Sequence, residues 1–187
     1  MPRDRLPPIP PDLLTKEQRE AADEFAATRG EPVMGPFATM LRSPEVMLRA
    51  KRMGDYLRFR SSIGLKLNEL AILITAREWT QQFEWLLHAR FAKEAGLGDD
   101  VIAAIAEGRR PASLDEDEAI VYDLSMELHR TKQVSDHTWG RAVKRFGEQG
   151  VIDLVATNGY YSFLAMIMNA ARTALPAGAT EPLKRFP

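Results

Sequence analysis

The sequence predicts an all-α fold, an oligomeric bundle of about seven helices. Three observations predict it. Apolar residues such as Val46, Leu48, Met53 and Leu57 recur with a rough helical period. Residues that start and stop helices bracket those runs. No segment combines a run of period-two alternation with turn chemistry, so no sheet is expected. The 187 residues, 45% of them hydrophobic, suffice for one proper core and are too few for two, so residues 1–187 are read as a single domain.

Residues 1–11 are proline-rich and read as an extended N-terminal arm, which must lie on this subunit or a neighbour. "TKEQREAADEFAATRG" reads as a helix, with Thr15 and Gln18 as a capping box and Gly30 as its stop. "EPVMGPFATMLRS" reads as a Pro/Gly connector with a buried middle. The next helix opens with Ser43 as N-cap, Pro44 at its first position and Glu45 in its first turn. The first half of "KLNELAILITAREWTQQFEWLLHARFAKEAG" is nearly all apolar after Glu69. The stretch is expected to bend near Trp79, to restart at Thr80 as N-cap, and to end at Gly96.

A short helix closes at Gly108 and Pro111. Another begins with Ser113 or Asp115 as cap and acids in its first turn, which suits the helix dipole. A further helix starts at Ser135 or Asp136 and ends between Gly147 and Gly150. "VIDLVATNGYYSFLAMIMNAARTALP" is a long apolar helix stopped by Pro176, and residues 177–187 form a C-terminal tail. The helices around residues 67–75 and 151–168 are hydrophobic nearly all round. One small domain does not need to bury two such helices, so a homo-oligomer (dimer, trimer or hexamer) is expected.

Composition narrows the function classes. The net charge of -1 offers no field for nucleic acid or an anionic membrane surface, so neither is an expected partner. No apolar run reads as long enough to span a bilayer, and the N-terminal residues lack an apolar signal core, so the expected location is cytoplasmic. There are no cysteines, which excludes disulfides, thiolate nucleophiles, iron–sulfur clusters and cysteine zinc sites.

The stretch "EWTQQFEWLLHARFAKEAGL" puts Gln81, Glu84 and His88 on one helical side at spacings of three and four residues. Such a set can be a solvated stripe, a metal pair or an acid–base site. "NELAILITAREWTQQFEWLLHARFAKEAGL" resembles the core of the carboxymuconolactone decarboxylase/AhpD-like superfamily. Glu69 matches the acid that precedes its apolar helix, His88 matches its histidine, and its two cysteine positions fall on Gln81 and Glu84. "GPFATMLRSPEV" and "GYYSFLAMIMNAARTALP" match its longer layout, so the resemblance spans roughly residues 33–176. It implies an all-helical, AhpD-like subunit assembled as trimers, hexamers or similar rings. It also implies one of two activities: thiol peroxide chemistry on the cysteine pair, or decarboxylation of a lactone carboxylic acid from aromatic compound catabolism. Gln81 and Glu84 do not undergo thiol exchange, so peroxidase chemistry is not expected.

What remains is an acid–base set. His88 is expected as the proton carrier, with Glu84 or Glu69 as its relay. Gln81 is expected to hydrogen-bond a substrate oxygen, and Trp79, Phe83, Trp85 and Tyr160 to wall a ring-shaped substrate. The expected activity is that of a cofactor-free lyase or isomerase on a small carboxylated lactone or related cyclic acid, needing no metal. The plainer alternative is a non-catalytic oligomeric protein that binds a small ligand. A Glu–His pair at i, i+4 is also an ordinary surface pair. "RAKRMGDYLRFR", with Arg49, Lys51, Arg52, Arg58 and Arg60, can steer a carboxylate, although a solvated helix face is the favoured reading of it.

Overall fold

The computed structural model describes residues 4–184, so expectations for residues 1–3 and 185–187 lie outside it. Among the described residues there are eight α-helices and no strand, with a 3-10 turn at Pro11–Leu13. The helices are α1 (Lys16–Arg29), α2 (Pro36–Met40), α3 (Pro44–Arg60), α4 (Leu65–Glu78), α5 (Gln82–Glu94), α6 (Asp99–Ala106), α7 (Glu116–Thr131) and α8 (Asp136–Ala171).

Local chemistry sets most of the boundaries. Thr15 and Gln18 form the capping box of α1, and Gly30 closes that helix at φ 72°. Asp115, rather than Ser113, caps α7 and completes a capping box with Glu118. Ser135, rather than Asp136, caps α8 by accepting from the Thr138 amide. Other expectations needed correction. Ser43 occupies the N-cap of α3 but its side chain makes no capping bond, and Pro44 starts the helix without one. The connector after Gly30 contains α2, which Pro36 opens and which buries Phe37 and Met40. The restart after Trp79 is capped by Gln81 and not by Thr80, which turns the chain at φ 46°. Gly147 leaves the helical region (φ 69°, ψ 173°), so α8 is two helices joined end to end at a kink.

The centre of the bundle is α4, which packs on α5, α7 and α8. Every residue from Leu67 to Arg77 is buried, so the chain itself covers this apolar helix on all sides. Fully burying each of Leu70, Ile72, Leu73 and Ile74 stabilises the fold by about 1.5–3 kcal/mol. The polar residues of α4 are buried with them and have to be paired. Asn68 accepts from Thr157, Arg77 donates to the Lys184 carbonyl at 2.7 Å, and Thr75 joins His129 and Asn158 in a core network. Two apolar clusters flank α4. One lies toward α6 and α7, and the other gathers α1, α2, α3 and the second half of α8.

The second half of α8 differs from α4 because Ile152 and Met166 stay largely exposed. By length and composition α8 could cross a membrane, contrary to the expectation that no run is long enough, but 56% of its most apolar window is buried within the chain. Its buried Asp153 ties the α3–α4 junction down. That carboxylate accepts from the Ser62 amide and the Ser62 hydroxyl, each at 2.8 Å, and from the Tyr56 hydroxyl at 3.0 Å. Asp153→Ala leaves those donors without their acceptor and is expected to cost about 3 kcal/mol of unfolding free energy in urea. A loss below about 0.5 kcal/mol would mean that the junction holds without it.

Candidate active site

The site is built on the hairpin of α4 and α5. Gln81 accepts from the amides of Phe83 (2.6 Å) and Glu84 (3.2 Å), so its side-chain oxygen satisfies the first turn of α5. Its amide nitrogen donates to Asn169 of α8, and Asn169 donates back to the Trp79 carbonyl, both at 3.0 Å. The Trp79 indole donates to Ser162, also on α8. These bonds fix the turn against α8 and so fix where α5 starts. Glu84 and His88 then project from one face of α5, four residues apart, toward Glu69 of α4.

The three side chains form a buried chain of charge. His88 Nδ1 lies 2.6 Å from Glu69 Oε2, and His88 Nε2 lies 3.3 Å from Glu84 Oε2. Exposure is 0% at Glu69, 3% at Glu84 and 3% at His88. Burial alone would depress the His88 pKa. The hydrogen bonds and charges of Glu69 and Glu84 outweigh it and hold the pKa at about 9, so His88 is a cation at neutral pH. The second oxygen of Glu69 has no hydrogen-bond partner among the described residues, which leaves that carboxylate an acceptor in reserve. Tyr161 and Phe91 pack edge-on to the imidazole at 5.1 and 5.6 Å between centroids, so aromatic rings confine the histidine and keep water from it.

One end of this chain opens on a cavity of about 290 Å³, large enough for a single small ring. Glu84 and His88 lie on its wall, while Glu69 stands behind His88 and off the wall. Phe83 and Tyr160, both expected at a substrate, also line it. The structure places the other three expected substrate contacts elsewhere. Gln81 serves the α5 cap, and Trp79 serves the tie to α8. Trp85 is buried in the cluster on the far side of α4. Its position next to Glu84 turns it roughly 100° around the helix, away from the cavity.

Phe91 and Phe37 escaped the sequence reading, while Tyr161, which the stretch "NGYYSF" offers as an alternative to Tyr160, lines the cavity together with it. Tyr161 follows Tyr160 directly, and nothing in the sequence says which of two adjacent tyrosines faces the histidine. Arg58, read mainly as part of a solvated face, lines the cavity too. His129 belongs to the core network, and burial lowers its pKa. No group of three or more His, Asp or Glu side chains among the described residues is arranged to hold a metal ion.

No protein-family model matches the chain, and no curated protein sequence matches it. Its fold is similar to that of the debrominase Bmp8, solved in a cysteine-to-alanine form in complex with 2,3,4-tribromopyrrole. The TM-score is 0.70 over 92% of this chain and 91% of that one, at 12% sequence identity. At that identity the likeness is one of fold: both chains form the same type of all-helical bundle.

The His88 pKa has a consequence for stability. It lies at about 9 in the folded chain against an ordinary 6.5, so the cationic form stabilises the fold. That contribution is complete below the ordinary value and is lost as pH rises through the folded one. Unfolding free energy is expected to fall by on the order of 3 kcal/mol between about pH 6 and about pH 9.5. The fall should be much shallower in Glu69→Gln. Equal slopes in the two proteins would mean that Glu69 does not hold the proton on His88.

Proposed function

We propose that the chain is a cofactor-free acid–base enzyme of the carboxymuconolactone decarboxylase-like kind. Its substrate is a small carboxylated lactone or a related cyclic acid, and its reaction is decarboxylation or double-bond migration. The observation that carries this reading is the buried Glu69–His88–Glu84 chain, which ends on the wall of a ring-sized cavity. A salt bridge made only for stability gains little from complete burial, because desolvation offsets the attraction. Placing its proton-bearing end on a cavity suits proton transfer. The fold shared with a debrominase adds support, since that enzyme's complex holds a small halogenated ring on the same type of bundle.

The chemistry follows from the residues present. Loss of CO2 breaks a carbon–carbon bond and leaves its electron pair on the ring, where a conjugated lactone carbonyl accepts it as a dienolate. A proton must then arrive at carbon. His88 is charged and carries one at Nε2, beside Glu84. Once it has donated, the neutral imidazole keeps its Nδ1–H on Glu69, and a proton from solvent returns by way of Glu84. Double-bond migration uses the same groups in both directions: Glu84 removes a proton from one carbon and His88 returns one to another. The aromatic walls, Phe83, Phe91 and Tyr161, suit a planar ring and exclude water from the carbanion-like intermediate.

A second reading, a binder without turnover, gains from one observation. Gln81, expected to steady the enolate oxygen, is committed to the helix cap. In either reading we propose a homo-oligomer, a state supported by the exposed Phe59, Ile152 and Met166.

Screening lactone acids for CO2 release separates the two readings. The enzyme reading expects turnover of at least one such acid and a fall of about 100-fold to 10,000-fold in kcat for Glu84→Gln, which keeps its fold at a lower melting temperature because Glu69 still pairs with His88. His88→Ala should abolish turnover as well, but it also strands Glu69 and is expected to cost about 3–5 kcal/mol of stability. Activity that survives both substitutions would remove His88 and Glu84 from the mechanism.

A further inference from the structure

Three guanidinium groups border the cavity, and two are already engaged. Arg29 pairs with Asp55 at 2.8 Å, and Arg90 with Glu94 at 3.5 Å. Arg58 has no carboxylate partner among the described residues. Its guanidinium lies over the rings of Phe91, 4.4 Å from the centroid, and Phe59, at 5.1 Å. Stacking of this kind keeps a cation in place and leaves its in-plane N–H groups free to donate.

A second unengaged donor lines the same cavity. One turn before Arg58, on the same face of α3, is Gly54. A Cβ there would fall 2.8 Å from Tyr160 Cζ and closer still to the hydroxyl, so the glycine is what admits the phenol. The Tyr160 hydroxyl therefore rests against α3 at Gly54, one turn before the position of Arg58. Tyr160 is 4% exposed, and its hydroxyl has no hydrogen-bond partner among the described residues. Burial raises its pKa, so it remains protonated and able to donate. A buried donor left without an acceptor is costly, and an acceptor brought by a ligand would remove that cost.

Among the described residues Glu84, whose charge reaches Tyr160, is the one buried carboxylate on the wall, and its charge is matched by His88. Glu84 stands on α5, while Glu31 is exposed at the rim. The α3 side of the cavity therefore offers donors, and the α5 side offers the proton chain.

We propose that Arg58 and Tyr160 form an anion anchor that sets specificity: they hold a carboxylate of a small ring acid and so present the ring to His88. The inference rests on the acid–base reading above and adds where the substrate's charge is held. The anchored carboxylate is one that survives the reaction. A carboxylate leaving as CO2 loses its charge on the way to the transition state, and a guanidinium bound to it would favour the ground state. Held at a second acid group, the same guanidinium binds ground state and transition state alike and fixes orientation.

The test is binding of a non-reacting pair, 2-furoate and its neutral amide 2-furamide, to the full chain by calorimetry. The wild type is expected to bind the acid at least about tenfold more tightly than the amide. Arg58→Met should bring that ratio to about one, and Arg58→Lys should restore part of it. Tyr160→Phe should lower it by about threefold to tenfold. Circular dichroism checks each variant, and should Arg58→Met fail to fold, Tyr160→Phe decides on the same ratio. The anchor is overturned by a wild-type ratio near one, by a ratio unchanged in Arg58→Met, or by no detectable binding of 2-furoate below about 10 mM. A clear preference for the acid without CO2 release from any lactone acid would sink the proposed reaction and leave the anchor standing. CO2 release without such a preference would do the reverse.

Discussion

A carboxylate with no exposure at all, Glu69 in the second turn of the central helix, is the constraint around which this bundle is arranged. An isolated charge at such a place is too costly to keep, so the fold must deliver a counter-charge to it. His88 is that counter-charge, 2.6 Å away on the next helix. Bringing it there requires α5 to fold back on α4 in one register. The turn is accordingly over-determined: Gln81 caps α5, and Asn169 and Ser162 of α8 hold Gln81 and Trp79 from the other side. The residues that look least chemical in the stretch after α4 are the ones that aim the chemistry.

The last helix then serves two masters. Asp153, Thr157 and Asn158 point into the body of the bundle, where they satisfy Ser62, Asn68 and Thr75. Tyr160, Tyr161 and Leu164, a turn later, form a wall of the cavity. The kink at Gly147 separates this stretch from the solvent-bordered first half of α8. Because one helix both braces the core and shapes the site, the histidine is gripped by packing as well as by charge. That grip suits a proton carrier, whose two nitrogens must keep fixed directions while its charge changes.

Much of the fold was legible in the sequence because its signals are local. Caps, stops and helical periodicity depend on residues within one turn of each other, and Thr15, Gly30 and Gly96 fall where those rules put them. The failures were local signals that lost to tertiary demands. Pro36 and Phe37 looked like a connector, but burying Phe37 and Met40 makes a short helix there worthwhile. Thr80 looked like a cap, yet the tight reversal puts it at positive φ and passes the cap to Gln81. In the site, the spacing of Glu84 and His88 was visible because i and i+4 share a face. Gln81 shared that spacing and went to another task, because its place at the helix start governs what its side chain can reach.

By itself, then, the amino-acid order determined the helical class, most helix ends, the absence of thiol chemistry and the pairing of Glu84 with His88. Each of these follows from composition or from neighbours along one helix. Only the tertiary structure decided that Glu69 closes the chain from behind, that Tyr161 rather than a tryptophan packs on the imidazole, and that Arg58 and Tyr160 face the cavity. Those relations join residues about twenty to a hundred positions apart, on helices whose relative rotation is set by how their side chains interlock in the core.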